Sequence, residues 1–430
     1  MILLNYLYFL IITLIGYKWL TSSGGTMTNP LNKQEQMWLD GPERFWVLTF
    51  STGLLALSAP AGLDLMAVRL LVLEVFCLIG LLFICKRKPQ WTAASVVYAV
   101  YILWLIIGLT YSPAPGYGFR VILKYLYPLL IMLFASAAVR DTEVFLKAGL
   151  GARIVALIAL IVAFISMLEE TLLPGVFWYG TARAINFISM CIFSLALFYY
   201  TDEKRKNLLY SILFMLPCFI WVFRTSIMGS LVAIMAFYFI KYRMRSLPII
   251  AGVLIAGVMA VFFIPTLHQK MFKDSSTNID QFKSGSVSMD DVNTNARAAM
   301  WEHLENRFYQ GHELTGSGTG TVQQYMYNNF IFGGLKVAHS DFVQMRCDNG
   351  IIALILYVII ILFVYYDCFR TYHSTNSTGV KMCSIVAGAS MMGVFVTLYS
   401  DNVINYSMAT LSMPFGFYGM MLGLKQNEIK

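Results

Sequence analysis

A chain built around long apolar runs keeps few charges beside them, so the charges it does keep single out candidate chemistry. Arg120, Arg183 and Arg224 lie in short connections between such runs. Arg297 opens a stretch, Arg297-Ala298-Ala299-Met300-Trp301, that reads as an amphipathic helix. A guanidinium presents a planar fork of donors suited to phosphate oxygens. The plainer role for each arginine is to snorkel at a membrane interface. Arg224, set at a tight turn between two runs, has the best claim to more. His339 stands immediately before Ser340, which can N-cap a following helix, so its imidazole belongs at a helix start. A histidine there often serves structure alone. With arginines on the same side to hold an anionic leaving group, it becomes a candidate general base, and the set reads as a transferase site.

Other patterns carry less. Gly316-Ser317-Gly318-Thr319-Gly320 is only superficially like a phosphate-cradling loop, because no Lys-Ser/Thr follows, and it reads as a flexible connection bordering the site. Asp290-Asp291 has no accompanying ligand cluster and reads as a pair of solvated loop acids. The seven cysteines (Cys77, Cys85, Cys191, Cys218, Cys347, Cys368, Cys383) contain no CxxC and mostly lie in apolar runs, so neither a disulfide framework nor a metal site is indicated.

The elements that must position these residues are membrane helices. The 430 residues are 58% hydrophobic and only 13% charged, with mean hydropathy +0.66. A soluble domain carries roughly a quarter charged residues. Apolar runs of about 20 residues, each long enough to cross about 30 Å of hydrocarbon, recur along the chain. They lack the period-2 alternation of barrel strands, which leaves an all-α polytopic bundle. Spans are expected at about 46–60, 64–85, 91–110, 121–139, 154–173, 185–200, 208–223, 225–240, 247–265, 350–366, 380–399 and 406–424. That makes about 12 transmembrane helices, or 13 if residues 2–20 also span. Residues 2–20 are either a further span, a signal-like anchor, or upstream of a start at Met27 or Met37.

Basic clusters follow alternate spans: Lys86-Arg87-Lys88, Arg140 to Arg153, Lys204-Arg205-Lys206, Lys241 to Arg245, then Arg370 and Lys381. This pattern explains the net charge of +8 without nucleic acid. By the positive-inside rule these clusters face the cytoplasm. Connections 111–119, 174–184, the turn near 224, 266–349 and 400–405 then face out. The chain divides into a lead (1–44), a first set of spans (45–265), a large outward loop (266–349) and C-terminal spans (350–430). Between Lys206 and Lys241 lie 34 residues, about 50 Å as one helix, with cytoplasmic charge at both ends. The segment must fold back at Phe223-Arg224-Thr225-Ser226, with Thr225 or Ser226 placed to N-cap the returning helix.

These motifs, in this order, resemble the O-antigen ligase/polymerase superfamily. His339-Ser340, nine residues, then Gly350-Ile351-Ile352-Ala353 is similar to the ligase signature of His, Asn/Ser/Gln, nine residues, then Gly-x-x and Gly, Thr or Tyr. Ala353 departs at the last position. Tyr111-Ser112-Pro113, Arg183-Ala184-Ile185-Asn186, Arg224-Thr225-Ser226, and Arg297 to Trp301 followed by Gly316-x-Gly318 also fit. The resemblance covers roughly residues 45–425. It implies a GT-C-like membrane glycosyltransferase of the bacterial inner membrane, working on the periplasmic side without metal or nucleotide cofactor. The donor it implies is an undecaprenyl-diphosphate-linked glycan; the acceptor is a lipid A-core sugar hydroxyl. Transfer is implied to be inverting, with His339 as base and Arg224 and Arg297 on the diphosphate. Arg183 and Arg120 are lesser candidates for diphosphate or acceptor-phosphate contact.

The same resemblance admits a polymerase that extends a lipid-linked repeat, and a protein O-oligosaccharyltransferase. Arg307, ten residues, then Gly318 matches an arginine-to-glycine spacing associated with polymerases. A secondary transporter would instead show two related halves and acids at mid-span. No repeat is evident, and Glu169-Glu170 lie near a span end.

Overall fold

The computed structural model describes residues 41–54, 66–172, 184–220, 223–272, 297–329 and 335–428. Residues 2–20, Arg183 and Asp290-Asp291 lie outside them, and so do the expectations placed there. Among the described residues the regular structure is helical throughout. The first helices are α1 (Gly41–Leu54), α2 (Met66–Ile79), α3 (Ala93–Thr110), α4 (Pro115–Ala138) and α5 (Thr142–Leu172). They are followed by α6 (Ile188–Tyr200), α7 (Lys204–Ile220), α8 (Arg224–Tyr242) and α9 (Leu247–Phe263). Three short helices, α10 (Pro265–Met271), α11 (Arg297–Phe308) and α12 (Thr321–Asn329), precede α13 (Asp341–Ser374), α14 (Thr378–Thr397) and α15 (Ser412–Glu428). Among the described residues, six helical stretches are long and apolar enough to cross a membrane: α3, α4, Thr142–Ile161 of α5, the run Arg224–Phe263, α13 and α14.

The centre of the bundle is α14, packed against α6, α8, α13 and α15. In lipid the hydrophobic effect does not press helices together, so close packing of small residues must do it. Gly229 of α8 and Gly393 of α14 serve that purpose. A Cβ on Gly229 would lie 2.8 Å from Gly393 O, and one on Gly393 would lie 2.7 Å from Gly229 O. The two backbones therefore touch, which places the loops at their ends side by side. By contrast, α9 buries none of its residues and turns Leu254, Ile255 and Phe263 outward, as a peripheral helix facing lipid should.

Cross-links between helix ends sort the connections into two sets. Gln90 N–H donates to Ser136 Oγ (2.9 Å), Arg87 bonds Gln426, Asn427 bonds Arg140 O (2.7 Å) and Thr375 donates to Glu428 (2.6 Å). Lys241 lies over the rings of Tyr199 and Tyr200, and Tyr200 bonds Tyr372 at 2.6 Å. The basic clusters of the sequence thus gather at one end of the bundle. The arginine and histidine candidates that are described lie at the other.

The helix expected to follow Ser340 runs from Asp341 into the span placed at 350–366, and it breaks within itself at Gly350 (φ 74°, ψ −179°). One sequence expectation is corrected. The start of α8 carries no side-chain cap: Phe223 is the N-cap residue, and Thr225 and Ser226 both lie inside the helix.

Candidate functional site

Over the end opposite the basic clusters sits a small helical cap. The expected amphipathic helix at Arg297 is α11, and it buries Met300 and Leu304 against Val322 and Met326 of α12, Ala338, and Val343 and Cys347 of α13. The indole of Trp301 donates to Ala338 O at 2.7 Å, tying α11 to the residue before His339. Arg307 lies over the ring of Tyr325, 4.8 Å from its centre, so it is a cap residue.

The glycine-rich segment is the cap's anchor, and the reading of it as a flexible connection is overturned. Gly316, Gly318 and Gly320 all have positive φ (69°, 105° and 89°) and turn the chain tightly against the bundle. Backbone N–H groups of Ser317 and Gly318 donate to Cys347 O (2.9 Å) and Asp348 O (2.8 Å). Thr319 Oγ1 donates to Leu105 O of α3 at 2.7 Å, and Asn349 donates back to Thr319 Oγ1 at 2.6 Å. The buried Asp348 carboxyl accepts from Gly320 N (3.1 Å) and Val322 N (2.8 Å) at the start of α12. Tyr111 and Ser112, singled out in the sequence, donate to Thr315 O (2.6 Å) and Thr319 O (2.8 Å). The N–H groups that a phosphate loop would offer are therefore occupied by protein. The break at Gly350 is part of the same knot. A Cβ there would stand 2.0 Å from Leu314 O, so only glycine fits.

Beside this rigid half lies the cluster that could do chemistry. At the start of α8, Arg224 Nη1 donates to Lys270 O, near the end of α10, at 2.8 Å. Its neighbour Thr225 is 3.2 Å from Ser400 Oγ, in the connection after α14. Arg297, at the start of α11, donates to Ser400 O at 2.6 Å. Arg297 thus bonds this connection and Arg224 lies beside it, from separate elements and near enough for the Arg297 charge to act on Arg224. Two like charges held together favour an anion between them.

His339 faces the same connection. Its backbone is in the left-handed region (φ 50°), unusual for a residue with a side chain. Asn402 holds it there by accepting the His339 N–H on Oδ1. Asn402 Nδ2 lies 3.4 Å from Asp341 Oδ1 and 3.3 Å from Gln344 Oε1, and the buried Asp341 also accepts from Ile404 N at 3.1 Å. As the sequence indicated, Ser340 caps α13, accepting from Val343 N at 3.2 Å. The imidazole Nδ1 is buried and has no hydrogen-bond partner among the described residues. Asp401 Oδ1 stands 3.9 Å from it, a little beyond bonding range. A small approach would place a proton on Nδ1 and leave the Nε2 lone pair to act as a base.

The structure thus brings together Arg224, Arg297 and His339. Arg120 is positioned elsewhere, on the exposed face of α4 with its guanidinium over the Tyr117 ring at 5.6 Å. Arg183 lies outside the described residues. Asp401 and its neighbours Ser400 and Asn402 were missed. Their signal was available: three successive polar residues in the connection 400–405, already placed on the same side as His339.

Residues 209–358, about a third of the chain, match the O-antigen ligase family model. The matched stretch contains Arg224, Arg297, His339 and Gly350, and supports the O-antigen ligase/polymerase superfamily. No curated protein matches the chain.

Proposed function

We propose that this protein is an inverting, metal-independent glycosyltransferase of the bacterial inner membrane, moving an undecaprenyl-diphosphate-linked glycan onto a lipid A-core sugar hydroxyl. In this reading twelve helices span the bilayer, the basic end faces the cytoplasm, and the cap with its cluster faces the periplasm. The observation that supports the proposal is the gathering of Arg297 and the His339–Asp401 pair on one connection, with Arg224 beside it through its neighbour Thr225.

The chemistry follows from the parts. The donor's sugar–diphosphate bond already holds the energy of transfer, so no nucleotide is required. The acceptor hydroxyl oxygen attacks the anomeric carbon from the face opposite the diphosphate, which inverts the configuration. Its proton passes to Nε2 of His339, and Asp401 stabilises the imidazolium that forms. The bond from the anomeric carbon to the diphosphate oxygen breaks, and its electron pair leaves with undecaprenyl diphosphate. Arg224 and Arg297 offset the charge that builds on that oxygen, a role in which preorganised donors are most effective. The proton on His339 then returns to water or to the departing diphosphate.

Deleting the gene and analysing the surface polysaccharide tests this. Loss of glycan from lipid A-core with lipid-linked polymer accumulating supports the ligase. Single repeats on the core make the protein a polymerase, and an unchanged surface glycan ends the proposal.

A further inference from the structure

At the basic end, away from the cap, a cavity of about 490 Å³ opens between the start of α3, the last turns of α13 and the end of α15. Ligand sites fall in this size range. Its wall combines Arg370 and Lys425 with Gln90, Thr92, Gln426 and Asp367. The one acid is already engaged: Asp367 Oδ2 accepts from the Tyr418 hydroxyl at 2.6 Å, and Thr92 Oγ1 lies 3.1 Å from that same hydroxyl. Lys425 donates to Thr371 Oγ1 at 3.1 Å and can turn its other two protons elsewhere. A third cation stands behind the wall, where Arg87 bonds Gln426; its Nη1 is buried without a partner among the described residues. Cations outnumber acids in the cavity wall.

The cavity's other boundary is apolar. Phe363 and Tyr366 line it and are 39% and 60% exposed. Along α13, Ile355, Leu362 and Tyr366 form one outward stripe at helical spacing, and Val96, Val100, Leu103 and Ile107 form another on α3. The two helices pack together, so the stripes run side by side away from the cavity. A cationic recess that opens onto adjoining apolar stripes fits an amphiphile with an anionic head. We propose that this cavity binds the phosphodiester headgroup of an anionic glycerophospholipid, with acyl chains lying along α3 and α13. Basic recesses between membrane helices hold such headgroups because desolvated cations there meet a fixed negative charge.

Native mass spectrometry of the detergent-purified full chain tests this, with phosphatidylglycerol and phosphatidylethanolamine as competing probes. Wild type should retain phosphatidylglycerol in preference. Arg370→Gln and Lys425→Gln should each weaken that preference about fivefold, the effect of one cation on an anionic lipid. Arg245→Gln, an exposed basic residue of the connection between α8 and α9, should leave it unchanged. Asp367→Asn keeps an acceptor for Tyr418 while removing the cavity's acid, so it should strengthen retention, a gain that misfolding cannot produce. Equal retention of the two lipids by wild type overturns the proposal. So does an undiminished preference in a folded Arg370→Gln/Lys425→Gln variant. Displacement of the lipid by glycerol phosphate at equal concentration would assign the cavity to a soluble phosphate instead.

Discussion

Replacing Asp401 by asparagine removes one negative charge from beside His339. Asn402 N–H donates to Asp401 Oδ1 at 2.8 Å, and the asparagine carbonyl can accept that bond, so the connection keeps its shape. The charge lost lies 3.9 Å from His339 Nδ1, between side chains that are 17% and 19% exposed. At an effective dielectric of about 20, suited to partly exposed groups, two unit charges at that distance attract by about 4 kcal/mol. In a transition state where the acceptor proton is about half transferred, the imidazole carries about half a charge, so the loss is about 2 kcal/mol, or about thirtyfold in rate. The assay is transfer from a purified lipid-linked donor by the detergent-solubilised protein, measured across donor concentrations. The variant should lose kcat and keep KM for the donor, because Asp401 acts on the base and not on the diphosphate. An unchanged kcat, or a loss confined to KM, would show that the pair does not stabilise a charge on His339 during transfer.

Four further outcomes follow from the same geometry. His339→Ala should abolish transfer while the protein remains in the membrane at its normal level; transfer at the wild-type rate removes the assigned base. Arg224→Lys and Arg297→Lys should each slow transfer by about tenfold to a hundredfold, because an ammonium cannot reproduce a two-bond contact with a phosphate; full activity in either would make that arginine a snorkelling residue. Gly350→Ala should destabilise the fold by about 3 kcal/mol or more, since a strained positive φ is combined with a backbone clash, and thermal unfolding in detergent reads this directly. A Glu302→Cys variant, exposed on α11, should react with a membrane-impermeant maleimide in cells whose outer membrane alone is permeabilised; labelling only after lysis inverts the topology.

The helices were legible because a membrane span declares itself within about 20 consecutive residues. The turn at Phe223-Arg224 was legible for a similar reason, since charge at Lys206 and Lys241 left the chain between them no other course. Single residues at helix starts were legible in part. Ser340 caps α13 as expected, but Thr225 spends its hydroxyl on Ser400, a partner 175 residues away that local spacing could not reveal. The glycine segment misled for the same reason. Its positive φ values suit a loop over a phosphate as well as a knot, and only the distant partners Leu105, Asp348 and Asn349 decide between them. Asp401 was hidden by its company: an acid in a short outward connection is unremarkable until the packing of α13 on α14 brings that connection to His339.

That packing also explains how the cluster is divided. The base sits on the rigid side, with its backbone held by Asn402 and followed by a capped helix, so its place in the chain is set before any substrate arrives. The two arginines come from elements that meet this side only through their tips, each bonded to a backbone carbonyl of another element. A guanidinium has five N–H donors, so an arginine can hold more than one partner at a time. Mutual repulsion between Arg224 and Arg297 is a cost that the substrate-free protein bears, and a diphosphate between them would relieve it. It follows that removing either arginine should weaken the other's contribution, so the double variant should lose less than the product of the two single losses.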